Sequence, residues 1–456
     1  MEIQDRQSLR VLDTQTTEHL QAALHGKVIL SGDPEYDTAR KVWNGMIDRH
    51  PVLIVQCADT SDVVQALRFA REQNLDIAVR SGGHGIPGYA TVDNGIVIDL
   101  SLMKDLKIDT QRQTALASPG LKLGEFIRTT QSAGLASTVG TDPDTGLAGL
   151  TLGGGMGSLM GKFGLACDNV LSLEMVTADG ELVHASATEN PDLYWGLRGG
   201  SGNFGIVTNF QFQLHPVSNV LGGVIAHPLT RAREVFRFYR DFTRQLPDEL
   251  TVFCALKNDP DGHPSISFLV CYCGDLQAGE RALEPLRKFG PPLADLVRPV
   301  SYFDFLGWGY LPRGFHYYGK GGTLPDLSDE VIDRFIEAAW AKTSPFSQIL
   351  MEYVHGAAAR VAPDATAFAA RGTSFMPFIL SEWEEGPDQP HVDWARNTWA
   401  SLQPFSVEAG YVNFLGNEEQ KQVAPAYGGN YNRLVNLKRR YDPDNIFMMN
   451  PNIRPD

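Results

Sequence analysis

Short apolar runs alternate with helical periodicity through the first half of the chain. "PVLIVQC", "LDIAVRS" and "GIVIDLS" are continuous apolar stretches of strand length. Between the first two, "TSDVVQALRFAREQN" puts Val63, Val64, Leu67 and Ala70 on one helical face, with Ser61 as its expected cap. "GLKLGEFIRTTQSAGL" predicts an amphipathic helix that ends at Gly134, and "LEMVTADGELVHAS" a hairpin turning at Asp179-Gly180. After "FQFQLHPVSN" the texture changes. Longer alternating runs follow: "LGGVIAHPL", "LTVFCAL", "PSISFLVCYC", "SQILMEYVHG" and "FMPFILSEW". Their adjacency in sequence predicts a mainly antiparallel sheet, with "REVFRFYRDFTRQL", "LSDEVIDRFIEAAWAK" and "HVDWARNTWASL" as helices on one face.

The pattern therefore predicts an α+β fold in two domains. Residues 1–217 form the first part of one, 218–410 form the second, and 411–456 return to the first. Trp340, Trp394 and Trp399 fall on the expected helices and are assigned to the core. His316 and His355 are expected as pocket or packing residues. The aromatic, glycine-rich stretch 305–322 fits either a mobile loop over a site or a turn-rich connector.

Composition narrows the partners. A length of 456 residues suits two or three cores at about 150 residues each. A net charge of −15 argues against nucleic acid or an anionic membrane as partner, and no apolar run reaches spanning length. The N-terminal stretch lacks the pattern of an export signal. Cys57, Cys167, Cys254, Cys271 and Cys273 form no paired framework. Cys271 and Cys273, two apart on a strand, hold their Cα atoms about 6.6 Å apart, which suits a disulfide poorly. A reduced cytoplasmic protein, monomer or homodimer, handling a small molecule is the expectation.

The candidate chemistry lies in three glycine-rich loops. "VRSGGHGIPGY" sets His84 at the centre of a turn. Residues 137–169 hold nine glycines in 33 positions against 45 in the whole chain, so something approaches that backbone closely. "LRGGSGNFGIVT" repeats the chemistry. A Walker loop fails because Lys162 is followed by Phe163, and the Gly-x-Gly-x-x-Gly registers from Gly153 and Gly155 both lack their third glycine. Three such loops suit an extended anionic ligand, such as a dinucleotide held without a Rossmann helix. No His-Glu-x-x-His or paired Cys-x-x-Cys occurs, and no metal is expected.

"RSGGHG", "GLTLGGGMG", "FGLACDN", "VTADGE", "LYWGLRGGSGNFGIVT" and "YGGNYNRL…YDPDNIF" stand in the order and spacing of one family. The chain resembles the FAD-linked oxidases of the vanillyl-alcohol-oxidase type, in the berberine-bridge-enzyme-like branch. The resemblance implies a two-part FAD-binding domain plus a substrate domain. It also implies FAD bonded covalently through His84, a tether that tunes the flavin's electronics. It carries cofactor binding onto Arg80, Ser81, Gly82, Gly83, Gly85 and Gly88 in the first loop. In the second it reaches Gly140, Thr141, Asp142, Thr145, Gly146, Gly149, Gly153, Gly154, Gly157 and Asn169. Gly205, Val207, Asn413 and Asn430 complete the set. Many relatives carry a second, cysteinyl anchor in Gly-x-Cys-Pro-x-x-Gly. Here Asp142 takes the cysteine's place, which implies a single attachment.

On the strand "ILMEYVHG", Leu350, Glu352 and Val354 share one face, opposite Met351, Tyr353 and His355. A carboxylate between apolar neighbours is desolvated and suited to act as a base. Glu352 also falls where a singly tethered family member places an acidic active-site residue. Tyr411, beside Asn413 in "GYVNFLGNE", is the second catalytic candidate. In the family, the residue at Thr145 gates oxygen: Leu or Ile accompanies dehydrogenases, Val or smaller accompanies oxidases. The implied function is oxidation of an amine, phenol or natural-product intermediate, with O2 reduced to hydrogen peroxide. A dehydrogenase or carbohydrate oxidase of the same fold, and a silent flavin-carrying binding protein, are the alternatives.

Overall fold

The computed structural model describes residues 12–416 and 420–455. Residues 1–11, part of the stretch that bears on an export signal, lie outside them. The order of elements produces three main sheets. In the first, Leu53–Gln56 and Ile77–Arg80 both run parallel to Ile96–Asp99, and Lys27–Leu30 adds an antiparallel edge. The second is five-stranded and antiparallel, drawn from Leu106–Asp109, Thr114–Ala117, Val170–Val176, Leu182–Ser186 and Ile206–Gln213. The third has eight strands between Asn219 and Trp383, all paired antiparallel. The fold is α+β.

Local chemistry explains the elements. The helix Thr60–Glu72 buries Val63, Leu67 and Ala70 as the periodicity requires. Its cap is Asp59 rather than Ser61, because the Asp59 carboxylate accepts the Asp62 N–H at 3.1 Å. The helix Leu123–Ser132 ends two residues before the expected Gly134, with Ala133 as its cap, and Glu125 at its start accepts the Lys122 N–H at 2.8 Å. The hairpin closes with Val176 opposite Leu182, and Gly180 takes φ +77° at the turn.

Alternation along the large sheet separates two faces. Val252, Cys254, Ile266, Phe268, Ile349, Met351 and Ile379 point to the helices, where Val235, Phe236, Tyr239, Ile332, Phe335 and Trp394 close the core. Ala255, Ser267, Leu269, Leu350 and Leu380 point the other way, toward the glycine-rich loops. The C-terminal helix Tyr431–Tyr441 packs Leu434 and Leu437 into the core that holds Trp195 and Phe204. Lys438 Nζ, buried and paired within its own helix end to Asp442 Oδ2 at 2.6 Å, pins it there by donating to the Asn203 carbonyl at 3.0 Å.

Two elements carried weaker signals. The helix Leu276–Lys288 is capped by Asp275, whose carboxylate accepts the Ala278 N–H, and it buries only Leu283, Leu286 and Gly279. Within 305–322, His316–Gly321 is a strand paired to Ser374–Trp383, so this part is neither loop nor connector. Trp394 is core as expected, but Trp340 is 55% exposed at the end of its helix. All five cysteines are buried and free. Among the described residues, no helix is long and apolar enough to cross a membrane.

Candidate active site

A cavity of about 770 Å³ lies between the three glycine-rich loops and the outer face of the large sheet. Ser81, Gly82, Gly83, His84 and Gly85 line it from the first loop. Gly140, Thr141, Asp142, Thr145, Gly146 and Gly149 line it from the second, and Gly205 and Val207 from the third. Glu352, Tyr411 and Asn413 close the far wall.

The glycines do two different jobs. At Gly85, Gly149 and Gly202, one on each loop, a Cβ would enter open space beside the cavity. Three loops thus present bare backbone to whatever fills it, the cradle an extended dinucleotide requires. Gly82 and Gly146 instead face each other, and a Cβ on either would lie 2.4 Å from the other's backbone nitrogen. They let the first two loops interlock.

Seven expected cofactor residues are not on the wall. Arg80 lies beneath the first loop, with Nη2 2.9 Å from the Asp99 carboxylate. Gly88 packs on Ile47, where a Cβ would stand 2.7 Å from that side chain. Gly153 accommodates Asn413, Gly154 (φ +124°) the Phe368 ring, and Gly157 the Val139 carbonyl. Asn169 donates to the Phe163 and Leu165 carbonyls. Asn430 donates to those of Pro363 and Thr366, fixing a turn of the chain. In the structure these residues shape the loops that form the wall. Sequence spacing records both kinds of constraint alike.

His84 Nε2 stands 3.1 Å from Asp142 Oδ2, and the indole of Trp43 stacks on its ring. Across the cavity, Glu352 is 4% exposed, and its Oε2 has no hydrogen-bond partner. Burial alone raises its carboxyl to about 8. Tyr411 receives a hydrogen bond from Asn413 Nδ2 at 3.0 Å, yet burial pushes its phenol well above the ordinary value. Its hydroxyl keeps its proton at neutral pH and is suited to donate a hydrogen bond rather than to act as a base. His355, expected as pocket or packing, packs beside Gly161 with Nε2 3.3 Å from Thr251 Oγ1. His316 is partly exposed and pairs with Asp388 at 2.9 Å.

The sequence reading missed part of the wall. Trp308, Gly309, Tyr310 and Leu311 line the cavity from the aromatic stretch that was one candidate to cover a site, whereas Lys257, Gln348 and Glu382 of the sheet were not singled out. Glu382 is raised to about 7, chiefly by burial. Its alternation with Phe378 and Leu380 was the available signal. Two carboxylate-and-histidine groups, His25–Asp59–Asp62 and Asp259–Asp261–His263, have ligand-type atoms within 4.8 Å of one another. Backbone N–H groups already occupy their carboxylates, as at Asp62 and Asp259.

Comparison with known proteins fits this geometry. Residues 51–186 match the FAD binding domain family, and residues 410–454 match the berberine and berberine-like family. The chain is 31% identical to (R)-6-hydroxynicotine oxidase of Paenarthrobacter nicotinovorans over 95% of its own length and 98% of that protein's. The crystal structure of 6-hydroxy-D-nicotine oxidase from Arthrobacter nicotinovorans superposes with a TM-score of 0.87 at 29% identity, covering 95% of this chain and 98% of that one. Glucooligosaccharide oxidase of Acremonium strictum, described as carrying a 6-S-cysteinyl, 8α-N1-histidyl FAD, shares the fold with a TM-score of 0.87 at 22% identity, over 97% and 99% of the two chains.

Proposed function

Because the chain belongs to the FAD-linked oxidoreductases of the vanillyl-alcohol-oxidase type, in the berberine-bridge-enzyme-like branch, we propose that it is an oxidase of a small amine, phenol or related organic compound. The observation that carries this reading is Glu352. It is a buried carboxylate without a hydrogen-bond partner on Oε2, on the wall of the same cavity as His84. FAD, when bound, supplies a two-electron acceptor that takes hydride from a substrate C–H bond and passes the electrons to O2 as hydrogen peroxide.

The residues supply the rest. Glu352 accepts the proton released from a substrate O–H or N–H as the C–H bond breaks, and burial places its affinity for that proton near the working pH. Tyr411 and Asn413 offer hydrogen bonds that orient a polar substrate group against the apolar wall of Leu350 and Phe378. His84 carries the flavin as its single covalent anchor, since Asp142 cannot form a thioether. The 31% identity to a 6-hydroxynicotine oxidase supports an aromatic or heterocyclic amine as substrate class.

A screen of amines, phenols and sugars that follows hydrogen peroxide and flavin bleaching tests this reading. Turnover with a cyclic or aromatic amine is the expected result. Turnover of sugars alone, or none with any compound, would overturn it.

A further inference from the structure

His84 and Asp142 lie 58 positions apart, on the first and second glycine-rich loops. Their side chains are only 14% and 6% exposed. Asp142 Oδ2 also accepts the Leu311 N–H at 3.0 Å, and Oδ1 accepts the Asp144 N–H at 2.8 Å. The carboxylate is thus fixed by backbone donors on two segments before it meets the imidazole. Trp43 holds the plane of that imidazole, with 4.0 Å between ring centroids. A carboxylate can only accept, so Nε2 carries the proton in this pair. Nδ1 is then the nitrogen with a lone pair to offer.

We infer that Asp142 is the positioning residue for covalent attachment of FAD. It holds His84 in the tautomer whose Nδ1 attacks the flavin's 8α-methyl carbon, and it takes up the Nε2 proton as the bond forms. This rests on the reading that His84 carries the flavin. The step balances as follows. One C8α–H bond and one imidazole N–H bond break, and one C8α–Nδ1 bond forms. The two electrons left on the flavin, with the two protons, pass to dioxygen and give hydrogen peroxide. Asp142 thereby has a task in the place where relatives put a second anchor.

The test follows attachment rather than turnover. The full chain and its Asp142→Asn and Asp142→Ala variants are produced under riboflavin limitation and mixed with FAD in air. Samples are quenched in acid, and intact mass reads the covalent fraction with time. Asp142→Asn is expected to bind FAD and release it on denaturation, attaching it about 10²-fold more slowly, the scale of a lost proton acceptor. Formate should accelerate Asp142→Ala where chloride at equal ionic strength does not, a rescue that a purely structural role would not show. Attachment at the unaltered rate in Asp142→Asn, or an Asp142→Ala indifferent to formate, overturns the role of Asp142 alone. Release of all flavin by the unaltered protein overturns the covalent reading itself.

Discussion

The indole of Trp43 is sandwiched between His84 and Tyr317, with ring centroids 4.0 and 3.7 Å away and both pairs inclined by 18°. One stack therefore ties the first glycine-rich loop to the edge strand of the large sheet. The Trp43 N–H adds a bond to the Leu311 carbonyl at 3.2 Å. Truncating so large a buried ring costs about 3–5 kcal/mol. Trp43→Ala should lower the urea midpoint accordingly, and a loss below about 1 kcal/mol would show that the stack does not hold the two parts together.

A covalent flavin leaves a simple signature. Acid-denatured protein should stay yellow after gel filtration, with a mass increment of one FAD. His84→Ala should yield colourless polypeptide under the same treatment. A flavin peptide that also contains a cysteine link would contradict the single attachment that Asp142 implies.

Glu352→Gln should retain FAD yet slow flavin reduction by a good substrate about 10²–10⁴-fold. The active form is the carboxylate, and burial sets its value at about 8. The reduction rate of the unaltered protein should therefore climb from pH 6 to 9 and level off above that value. Stopped-flow reduction across this range decides the matter. An effect under about tenfold, or the same climb in the variant, would remove Glu352 from the role.

The same burial makes stability depend on pH. Glu352 binds its proton with a value of about 8 when folded against 4.5 as a free side chain. Between those two values the folded state keeps a proton that the unfolded state releases, so stability falls as pH rises, by up to about 1.4 kcal/mol per pH unit. Glu382, raised to about 7, acts in the same direction over a narrower window. Glu352→Gln should lessen the fall in urea midpoint between pH 5 and 8. Equal slopes in both proteins would mean that Glu352 is not desolvated.

Much of this arrangement was legible in the sequence because periodicity and loop chemistry are local signals. Alternation along 348–354 put Leu350 and Glu352 on one face, and both stand on the cavity wall. What the sequence hid were meetings between distant segments. Nothing near Trp43 announces that it will stack on His84, and nothing near Gly82 announces Gly146. Glycine runs also carry two meanings at once. Gly149 and Gly85 open onto the cavity while Gly153 and Gly157 only make room for Asn413 and Val139. A spacing rule alone cannot separate them. Asp59 outcompeted Ser61 as a cap for a similar reason, since both residue types suit the position and only the chain's path chooses.

Oxygen should be the electron acceptor, and Thr145 gives the handle on that claim. Its side chain lines the cavity from the second loop, two residues beyond Pro143, where its N–H donates to the Asp142 carbonyl at 3.2 Å. Threonine is close to valine in size, so a path past it to the bound flavin should stay open. Leucine is larger by one heavy atom, reaches one bond further from the backbone, and loses the hydroxyl. On the cavity wall, the longer side chain should narrow the space beside the flavin. Photoreduced protein mixed with aerated buffer should reoxidise within seconds, and Thr145→Leu should slow that step at least tenfold while sparing reduction by substrate. A flavin that stays reduced for minutes in the unaltered protein would instead mark a dehydrogenase that uses another acceptor.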